Sequence, residues 1–255
     1  MPFFFLLVPF ILGMTIGSFL NVCIFRIPEG RSIVKPRSSC PHCGVTIPWF
    51  WNIPILSFLL LRGRCASCGV KISWRYPLVE ALTGGLFALL VFRFGLQPFV
   101  LVLMLFVAIQ VLVSFIDLDH QIIPDVVTLP GIVVGFFCSF IIPWLSWSDS
   151  LLGILVGGGS LYLVAIGYAL LAKKEGMGGG DIKLLAMIGA FLGWKAILPI
   201  VFFASVLGTV VGVPVMFAKK ASGKFAIPFG PFLSCAALVY LLWGPSIIRW
   251  YLHFF

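Results

Sequence analysis

The chain has 255 residues, of which 61% are hydrophobic and only 10% are charged. Its mean hydropathy of +1.17 lies outside the range of soluble domains and is typical of proteins that cross a membrane several times. At about 20 apolar residues per spanning helix, there is room for roughly eight spans and one small polar domain, which excludes a separate soluble enzyme domain.

The first apolar run, residues 3–24, has no basic segment before it and no small-residue cleavage site. We therefore expect an uncleaved transmembrane helix and not a signal peptide. Seven further apolar runs, bounded by charge, proline or glycine, follow at 77–96, 98–116, 126–143, 151–172, 183–194, 196–217 and 226–245. The sequence predicts an all-α polytopic membrane protein with about eight transmembrane helices.

The net charge of +9 arises from basic residues that are spread over short loops between these runs. If the N-terminus is outside, fourteen Lys and Arg residues fall in inside loops, and only Arg93, Lys195 and Arg249 fall outside. Cytoplasmic loops carry such an excess of positive charge. We therefore attribute the charge to membrane orientation, place both termini outside and expect no nucleic-acid partner.

Residues 25–76 form the one sizeable polar segment, and this topology makes it cytoplasmic. The segment contains two Cys-x-x-Cys pairs, "CPHC" and "CASC", each followed by glycine. A tight turn after such a pair directs backbone N–H groups at thiolate sulfurs, and four thiolates suit a tetrahedral zinc ion. We therefore predict a structural zinc site at Cys40, Cys43, Cys65 and Cys68.

Three other interpretations of these cysteines stay open: a pair of disulfides, a redox motif and an iron–sulfur cluster. Disulfides are disfavoured on the cytoplasmic side, and a redox Cys-x-x-Cys is not ordinarily duplicated. An iron–sulfur cluster is harder to distinguish from a zinc site by sequence. The 21 residues between the pairs slightly exceed the usual zinc spacing. Because four cysteines already complete a tetrahedral shell, we do not expect His42 to bind the metal. A closed shell also indicates a structural metal.

Four of the five aspartates lie at predicted cytoplasmic ends of apolar runs. The ordinary explanation for such a residue is a helix cap or a solvated loop charge. Asp117 directly follows "VLVSFI" and Asp181 directly precedes "IKLLAMIGAFLG", so both border hydrocarbon, where a carboxylate costs about 2.5 to 3.5 kcal/mol. Asp119 and Asp125 lie farther into the polar segment and are expected to be loop or helix-cap residues that could also tune the site.

A pair of neighbouring carboxylates indicates proteolysis. Because two adjacent carboxylates share a proton, one can activate water while the other protonates the leaving amine. We therefore predict that Asp117 and Asp181 are the general base and general acid of a peptidase, in an order that the sequence does not assign. Gly178, Gly179 and Gly180 permit positive φ and leave room for an extended substrate chain.

Together these residues resemble the bacterial prepilin peptidases of type IV pilus and type II secretion systems, over nearly the whole chain. The similarity rests on both cysteine pairs and on "GSFLNVCIFRIP", "NIPILSFLLLRGRC", "RYPLVE", "DLDHQIIPD" and "GMGGGDIKLLAMIGAFLG". Gly178, Gly180 and Asp181 reproduce the GxGD signature that this family shares with archaeal preflagellin peptidases and presenilin-type proteases.

The resemblance implies a protein of the bacterial inner membrane, with periplasmic termini, that cleaves the basic leader of prepilins and pseudopilins after a glycine at the cytoplasmic face. It also implies N-methylation of the new N-terminal residue with S-adenosylmethionine. The family pattern selects Asp117 over Asp119, because the essential carboxylate lies eight residues before the Asp of "IPD". It associates Gly63 with methyl transfer, although the segment contains no glycine-rich nucleotide-binding motif.

The predicted organisation is a first helix at 1–24, a cysteine segment at 25–76 that serves methyl transfer, and a peptidase core at 77–255 with about seven transmembrane helices. Two other hypotheses remain. A transporter would relay protons through intramembrane aspartates, but it predicts inverted repeats and midplane carboxylates, and the sequence suggests neither. Alternatively, the cysteine segment only docks the substrate leader.

Overall fold

The computed structural model describes residues 4–172, 178–218 and 228–252, and this part of the chain is almost entirely helical. Its α-helices are α1 Phe4–Arg26, α2 Leu56–Leu60, α3 Arg75–Phe94, α4 Pro98–His120, α5 Asp125–Cys138, α6 Trp147–Ala172, α7 Gly179–Leu192, α8 Ile197–Ala218 and α9 Gly230–Leu252. Apart from the short α2, these helices match the eight predicted apolar runs in order. The all-α prediction is confirmed.

Among the described residues, five helical stretches are long and apolar enough to cross a membrane: α1, α3, α4, Trp147–Leu171 within α6, and Trp194–Phe217, which contains most of α8. The polytopic prediction is therefore confirmed. Helices α5 and α7 have only 14 residues each, or about 21 Å, which is shorter than the hydrocarbon core. The apolar part of α9 is Gly230–Gly244. That α5, α7 and α9 each cross the membrane, which would give eight spans, therefore remains a prediction.

The chain divides into two compact units, Met1–Leu112 and Val113–Phe255. In the first unit, α1 packs on α3 through small residues. A Cβ added at Gly13 would lie 2.7 Å from Gly84 Cα, and one at Gly17 would lie 2.8 Å from Glu80 Cα. Because the two backbones touch at these points, glycine is required there, as in other closely packed membrane helices.

In the second unit, α7 packs against α5, α6 and α9. Residues 184–191 of α7 are all buried, so this helix is apolar and enclosed on every side. A Cβ at Gly153 of α6 would collide with the carbonyl of Gly189, and one at Gly157 would lie 2.6 Å from the Leu185 oxygen. This close packing fixes the position of α7 and of the carboxylate in its first turn.

The polar segment between α1 and α3 contains α2, one 3₁₀ turn at Trp49–Trp51 and two isolated β-bridges. The bridges join Ser39 to Thr46 and Arg64 to Lys71, so each one closes a turn around a Cys-x-x-Cys pair. Most side chains of the segment are exposed.

Candidate active site and metal site

Asp117 lies in the last turn of α4 and is buried, with only 5% of its surface exposed. Its Oδ2 accepts a hydrogen bond of 2.9 Å from the backbone N–H of Gly230. This N–H belongs to the first residue of α9. The free N–H groups and the positive dipole end of a helix N-terminus stabilise a negative charge, so α9 provides the carboxylate with a matching environment.

Gly230 was not identified from the sequence. A Cβ at this position would lie 2.7 Å from Oδ2 of Asp117 and 3.2 Å from Cδ1 of Ile123. Any other residue would therefore displace the carboxylate or the backbone that binds it. The sequence does contain a signal, because Pro231 directly after Gly230 is typical of the first turn of a helix. The approach of this helix to Asp117 is decided by tertiary structure.

Asp181 lies in the first turn of α7. Its side chain interacts electrostatically with that of Asp117, so the structure brings these two carboxylates together. Within the described part of the chain, the buried Oδ1 of Asp181 has no hydrogen-bond partner. A buried polar atom is rarely left unpaired unless it serves a function or binds a water or ligand. This oxygen is therefore a candidate contact for a water or a ligand.

The glycines before Asp181 could adopt positive φ, but none of them does so. Gly178 is extended, with φ −70° and ψ 139°, and Gly179 and Gly180 are already helical. A Cβ at Gly180 would lie 2.8 Å from Cβ of Ile123, whereas Gly178 and Gly179 have nothing within 4 Å. Gly180 is thus required by packing and not by backbone conformation, and Gly178 borders open space.

Asp119 and Asp125 are both exposed. Helix α4 continues to His120, four residues beyond the predicted run, so Asp119 is a helical residue and not a loop residue. Asp125 begins α5, and both of its oxygens lie 2.7 Å from Nζ of Lys183 on α7. Asp125 therefore links two helices at the edge of the site, while its carboxylate remains in contact with solvent.

The four predicted cysteines form one cluster, in which the sulfur atoms all lie within 4.8 Å of one another. The sulfurs of Cys40 and Cys68 are 3.9 Å apart. Two thiolates on one tetrahedral zinc ion, each at about 2.3 Å, would be separated by about 3.8 Å. All seven cysteines of the chain are free, and His42 is not part of the cluster. The donor set fits a four-thiolate metal site.

The two halves of the cluster have the same backbone structure. In each half, the N–H of the first cysteine donates a hydrogen bond to the carbonyl of the valine five residues later. The N–H of the glycine that follows the pair donates one to the carbonyl of the same first cysteine. These bonds are 2.9 to 3.0 Å long. Gly44 and Gly69 have φ of 70° and 71°, the left-handed conformation that glycine adopts without strain. Each pair ends in the same tripeptide, "CGV", and this repeat therefore encodes two equivalent turns.

Backbone donors favour the ionised form of one thiol in the cluster, that of Cys65. The N–H groups of Cys68 and Ser67 lower the pKa of the Cys65 thiol to about 6. The Val70 N–H lowers the pKa of Cys68, but desolvation and the adjacent sulfurs of the cluster outweigh it and raise the value to about 11. Four converging thiols cannot all ionise without a positive charge among them, and a metal ion supplies that charge.

Gly63, which the resemblance associates with methyl transfer, lies in the turn after α2. Its φ is 66°, and a Cβ there would lie 3.0 Å from the ring of Phe58. Its carbonyl accepts a hydrogen bond from Ile72, as the carbonyl of Ser38 does from Ile47 in the other half. The backbone of the second turn therefore requires a glycine at this position.

Fold and site define a polytopic membrane protein that carries a candidate acid–base pair of aspartates and a separate four-cysteine cluster. Residues 11–94 match the model of the bacterial peptidase A24 N-terminal domain. Residues 104–213 match that of the type IV leader peptidase family.

Relatives support the same assignment. Proteins named prepilin leader peptidase/N-methyltransferase from Aeromonas hydrophila and Pseudomonas aeruginosa are 38% and 37% identical, and each match covers 99% of this chain and 95% of the relative. One from Myxococcus xanthus is 44% identical over 84% of this chain and 64% of its own length. No solved structure matches the chain. The chain belongs to the prepilin leader peptidase family.

Proposed function

We propose that this chain is a membrane aspartic endopeptidase that removes the leader of prepilins and pseudopilins after a glycine and then N-methylates the new N-terminus. The observation that supports cleavage is the pair of interacting carboxylates, Asp117 and Asp181. Oδ1 of Asp181 is buried and has no hydrogen-bond partner among the described residues. The names of the relatives combine the same two activities.

In the proposed cleavage, one carboxylate takes a proton from water, and the water oxygen bonds to the scissile carbonyl carbon. The other carboxyl group, which holds the proton that the pair shares, gives it to the amide nitrogen as the carbon–nitrogen bond breaks. We assign the base to Asp117, because the Gly230 N–H and the α9 N-terminus stabilise its ionised form. Asp181, whose Oδ1 accepts no hydrogen bond from the described residues, is then the acid.

The four-cysteine cluster is proposed to bind one structural zinc ion. Four thiolates leave no open position for water or substrate, so the metal stabilises the segment and does not take part in cleavage. Because the turns that carry the cysteines are short and largely exposed, metal binding would supply much of their folding free energy.

S-adenosylmethionine would supply an electrophilic methyl group on a sulfonium. In the transfer, the lone pair of the pilin N-terminal amine forms the new carbon–nitrogen bond, the electrons of the sulfur–methyl bond return to sulfur, and the amine loses a proton. The tasks of the protein in this step are to bind the donor and to hold the amine in line. We assign them to the polar segment at 25–76, and we assign the peptidase core to 77–255.

We further propose that the chain lies in the bacterial inner membrane with its active site at the cytoplasmic face and both termini periplasmic. The support is the excess of Lys and Arg on one side of the predicted topology. Five of these basic residues, Lys173, Lys174, Lys219, Lys220 and Lys224, lie outside the described residues.

One experiment tests both activities. The purified chain in detergent is incubated with a synthetic prepilin, with and without S-adenosylmethionine. The masses of the products are then measured by mass spectrometry. We expect loss of the leader in both reactions and one further methyl only with the donor. An unprocessed prepilin would contradict the proposed peptidase, and a processed but unmethylated product would contradict the proposed methyltransferase.

A further inference from the structure

Ile123, in the connection between α4 and α5, packs against the N-termini of two other helices, α7 and α9. A Cβ added at Gly180 of α7 would lie 2.8 Å from Cβ and 3.4 Å from Cγ1 of Ile123, and one at Gly230 of α9 would lie 3.2 Å from its Cδ1. Gly180 directly precedes Asp181, and the N–H of Gly230 binds Asp117. The side chain of Ile123 therefore lies between two helix ends that form the aspartate site, and the proposed cleavage has given it no role.

The backbone is constrained on both sides of Ile123. Gln121, directly after α4, has φ of 54°, and its N–H donates a hydrogen bond of 2.9 Å to the carbonyl of Asp117. A left-handed residue at this position is a common way to end a helix and to turn the chain. On the other side, Pro124 is the N-cap of α5, and a proline restricts the residue before it to extended conformations. Ile123 is thus held in place by the end of α4 and the start of α5.

The δ-methyl group of Ile123 lies beside the carboxylate that is proposed as the base. Cδ1 of Ile123 and Oδ2 of Asp117 are 3.2 and 2.7 Å from the same point, where a Cβ of Gly230 would lie. Ile123 is partly exposed, so a substrate can contact it, and its β-branched side chain has few rotamers. Reacting atoms in a productive complex are about 3 to 3.5 Å apart. The substrate residues next to the scissile bond must therefore pass close to this methyl group.

The approach to Asp181 from the other side is open. Among the described residues, nothing lies within 4 Å of a Cβ added at Gly178 or Gly179. The site thus has a narrow side at Ile123 and an open side at Gly178. An extended substrate that crosses the carboxylates places one residue on each side of the scissile bond, and a residue without a side chain suits the narrow side.

We propose that Ile123 restricts cleavage to the position after a glycine, because its δ-methyl group occupies the space that a side chain would need at the residue before the scissile bond. This inference rests on the proposed cleavage and assigns the specificity of that reaction to one side chain. Its physical basis is that a well-packed site accommodates an additional methyl group only at a cost. The competing explanation is that the substrate needs glycine for its own backbone freedom, in which case Ile123 would not affect the choice.

The test pairs the loss of a methyl group in the enzyme with the gain of one in the substrate. Synthetic prepilins with Gly or Ala before the scissile bond are incubated with the full chain in detergent, and kcat/KM is measured for each by mass spectrometry. The wild type should prefer the Gly peptide by roughly ten- to two-hundredfold, the discrimination that one methylene permits. Ile123→Val, which removes only Cδ1, should lower this preference by about tenfold. Ile123→Ala should lower it further.

The matched control is Ile122→Val, the same change in the adjacent residue. Ile122 is exposed and is not among the closest neighbours of Gly180 or Gly230, so this variant should keep the wild-type preference. The preference is a ratio of two rates from one preparation. A smaller folded fraction in a variant therefore lowers both rates equally and leaves the ratio unchanged.

Three results would overturn this proposal while the proposed cleavage stands. An unchanged preference in both Ile123 variants would assign the glycine requirement to the backbone of the substrate. Equal losses for both peptides would mean that Ile123 only positions the carboxylates. A second pair of peptides, which differ after the scissile bond, gives the third result: a preference relaxed only in this pair would place Ile123 against the wrong residue. If the wild type cleaves none of the peptides, the proposed cleavage is itself contradicted, and this proposal fails with it.

Discussion

The aspartate site and the cysteine segment are held in position by different interactions. Asp117 and Asp181 lie on helices whose neighbours are densely packed, with residues 184–191 buried and with glycines where an added Cβ would collide. The cysteine segment is largely exposed, and it is organised by backbone hydrogen bonds around four converging sulfurs.

This difference shows how the chain can separate two activities. A packed helical core holds carboxylates in fixed positions without any cofactor, because core positions tolerate little change in volume. A short exposed segment buries too little apolar surface to offset its conformational entropy, and a metal ion at the four cysteines would compensate for this cost. We therefore expect cleavage to depend on packing and methyl transfer to depend on metal.

The largest effect is expected at the carboxylates. Asp117→Asn and Asp181→Asn should each reduce leader cleavage by about a hundred- to ten-thousandfold, because an amide of similar size cannot exchange the proton. Cleavage is measured by mass with synthetic prepilin, and membrane insertion serves as the folding control. Normal processing by either variant would exclude the assigned pair. Asp119→Asn, on the exposed face of the same helix, should cleave almost normally.

Metal removal tests the cysteine segment. The purified chain should contain one zinc ion, and the combined Cys→Ser replacement of Cys40, Cys43, Cys65 and Cys68 should contain none, as measured by elemental analysis. We expect methylation to be lost and cleavage to be retained. Cys235→Ser, which changes an exposed cysteine outside the cluster, is the matched control.

Other results would revise this comparison. Loss of both activities in the cysteine variant would make the segment a scaffold for the whole enzyme. If the purified chain contains iron instead of zinc, the four cysteines bind an iron–sulfur cluster. Retention of both activities with weaker prepilin binding would favour the docking hypothesis.

An intermediate effect is expected at Gly230. Gly230→Ala places a methyl group against Oδ2 of Asp117, and a displacement of about 1 Å can reduce catalysis by about a hundredfold. Gly167→Ala on α6 is the control, since nothing lies within 4 Å of its added Cβ. Both variants should keep their helical content by circular dichroism. Equal cleavage rates would mean that α9 does not position the carboxylate.

The smallest effect is expected for the ion pair between Asp125 and Lys183. Its side chains are 55% and 38% exposed, so the pair should contribute at most about 1 kcal/mol to the free energy of unfolding. Asp125→Asn should therefore lower stability slightly and leave cleavage nearly unchanged. A double-mutant cycle with Lys183→Gln measures the coupling. A large loss of activity in Asp125→Asn alone would instead give this residue a part in the chemistry.

The sequence predicted the helical class, the order of the eight long helices and the residues of both clusters. Apolar runs and Cys-x-x-Cys spacing are local patterns, so they can be recognised without coordinates. The sequence did not predict that α4 continues four residues past its apolar run or that the "GGG" before Asp181 leads directly into a helix. Both depend on where a helix begins or ends in a polar stretch, which tertiary contacts such as that of Gly180 with Ile123 decide.

The sequence by itself determined that the chain enters a membrane, that two aspartates border apolar helices and that four cysteines can share a metal ion. These conclusions follow from hydropathy and spacing alone. Only the tertiary structure decided that the N–H of Gly230, 113 residues beyond Asp117, completes the carboxylate site. Contacts between residues so far apart arise from the packing of whole helices and leave no local pattern in the sequence.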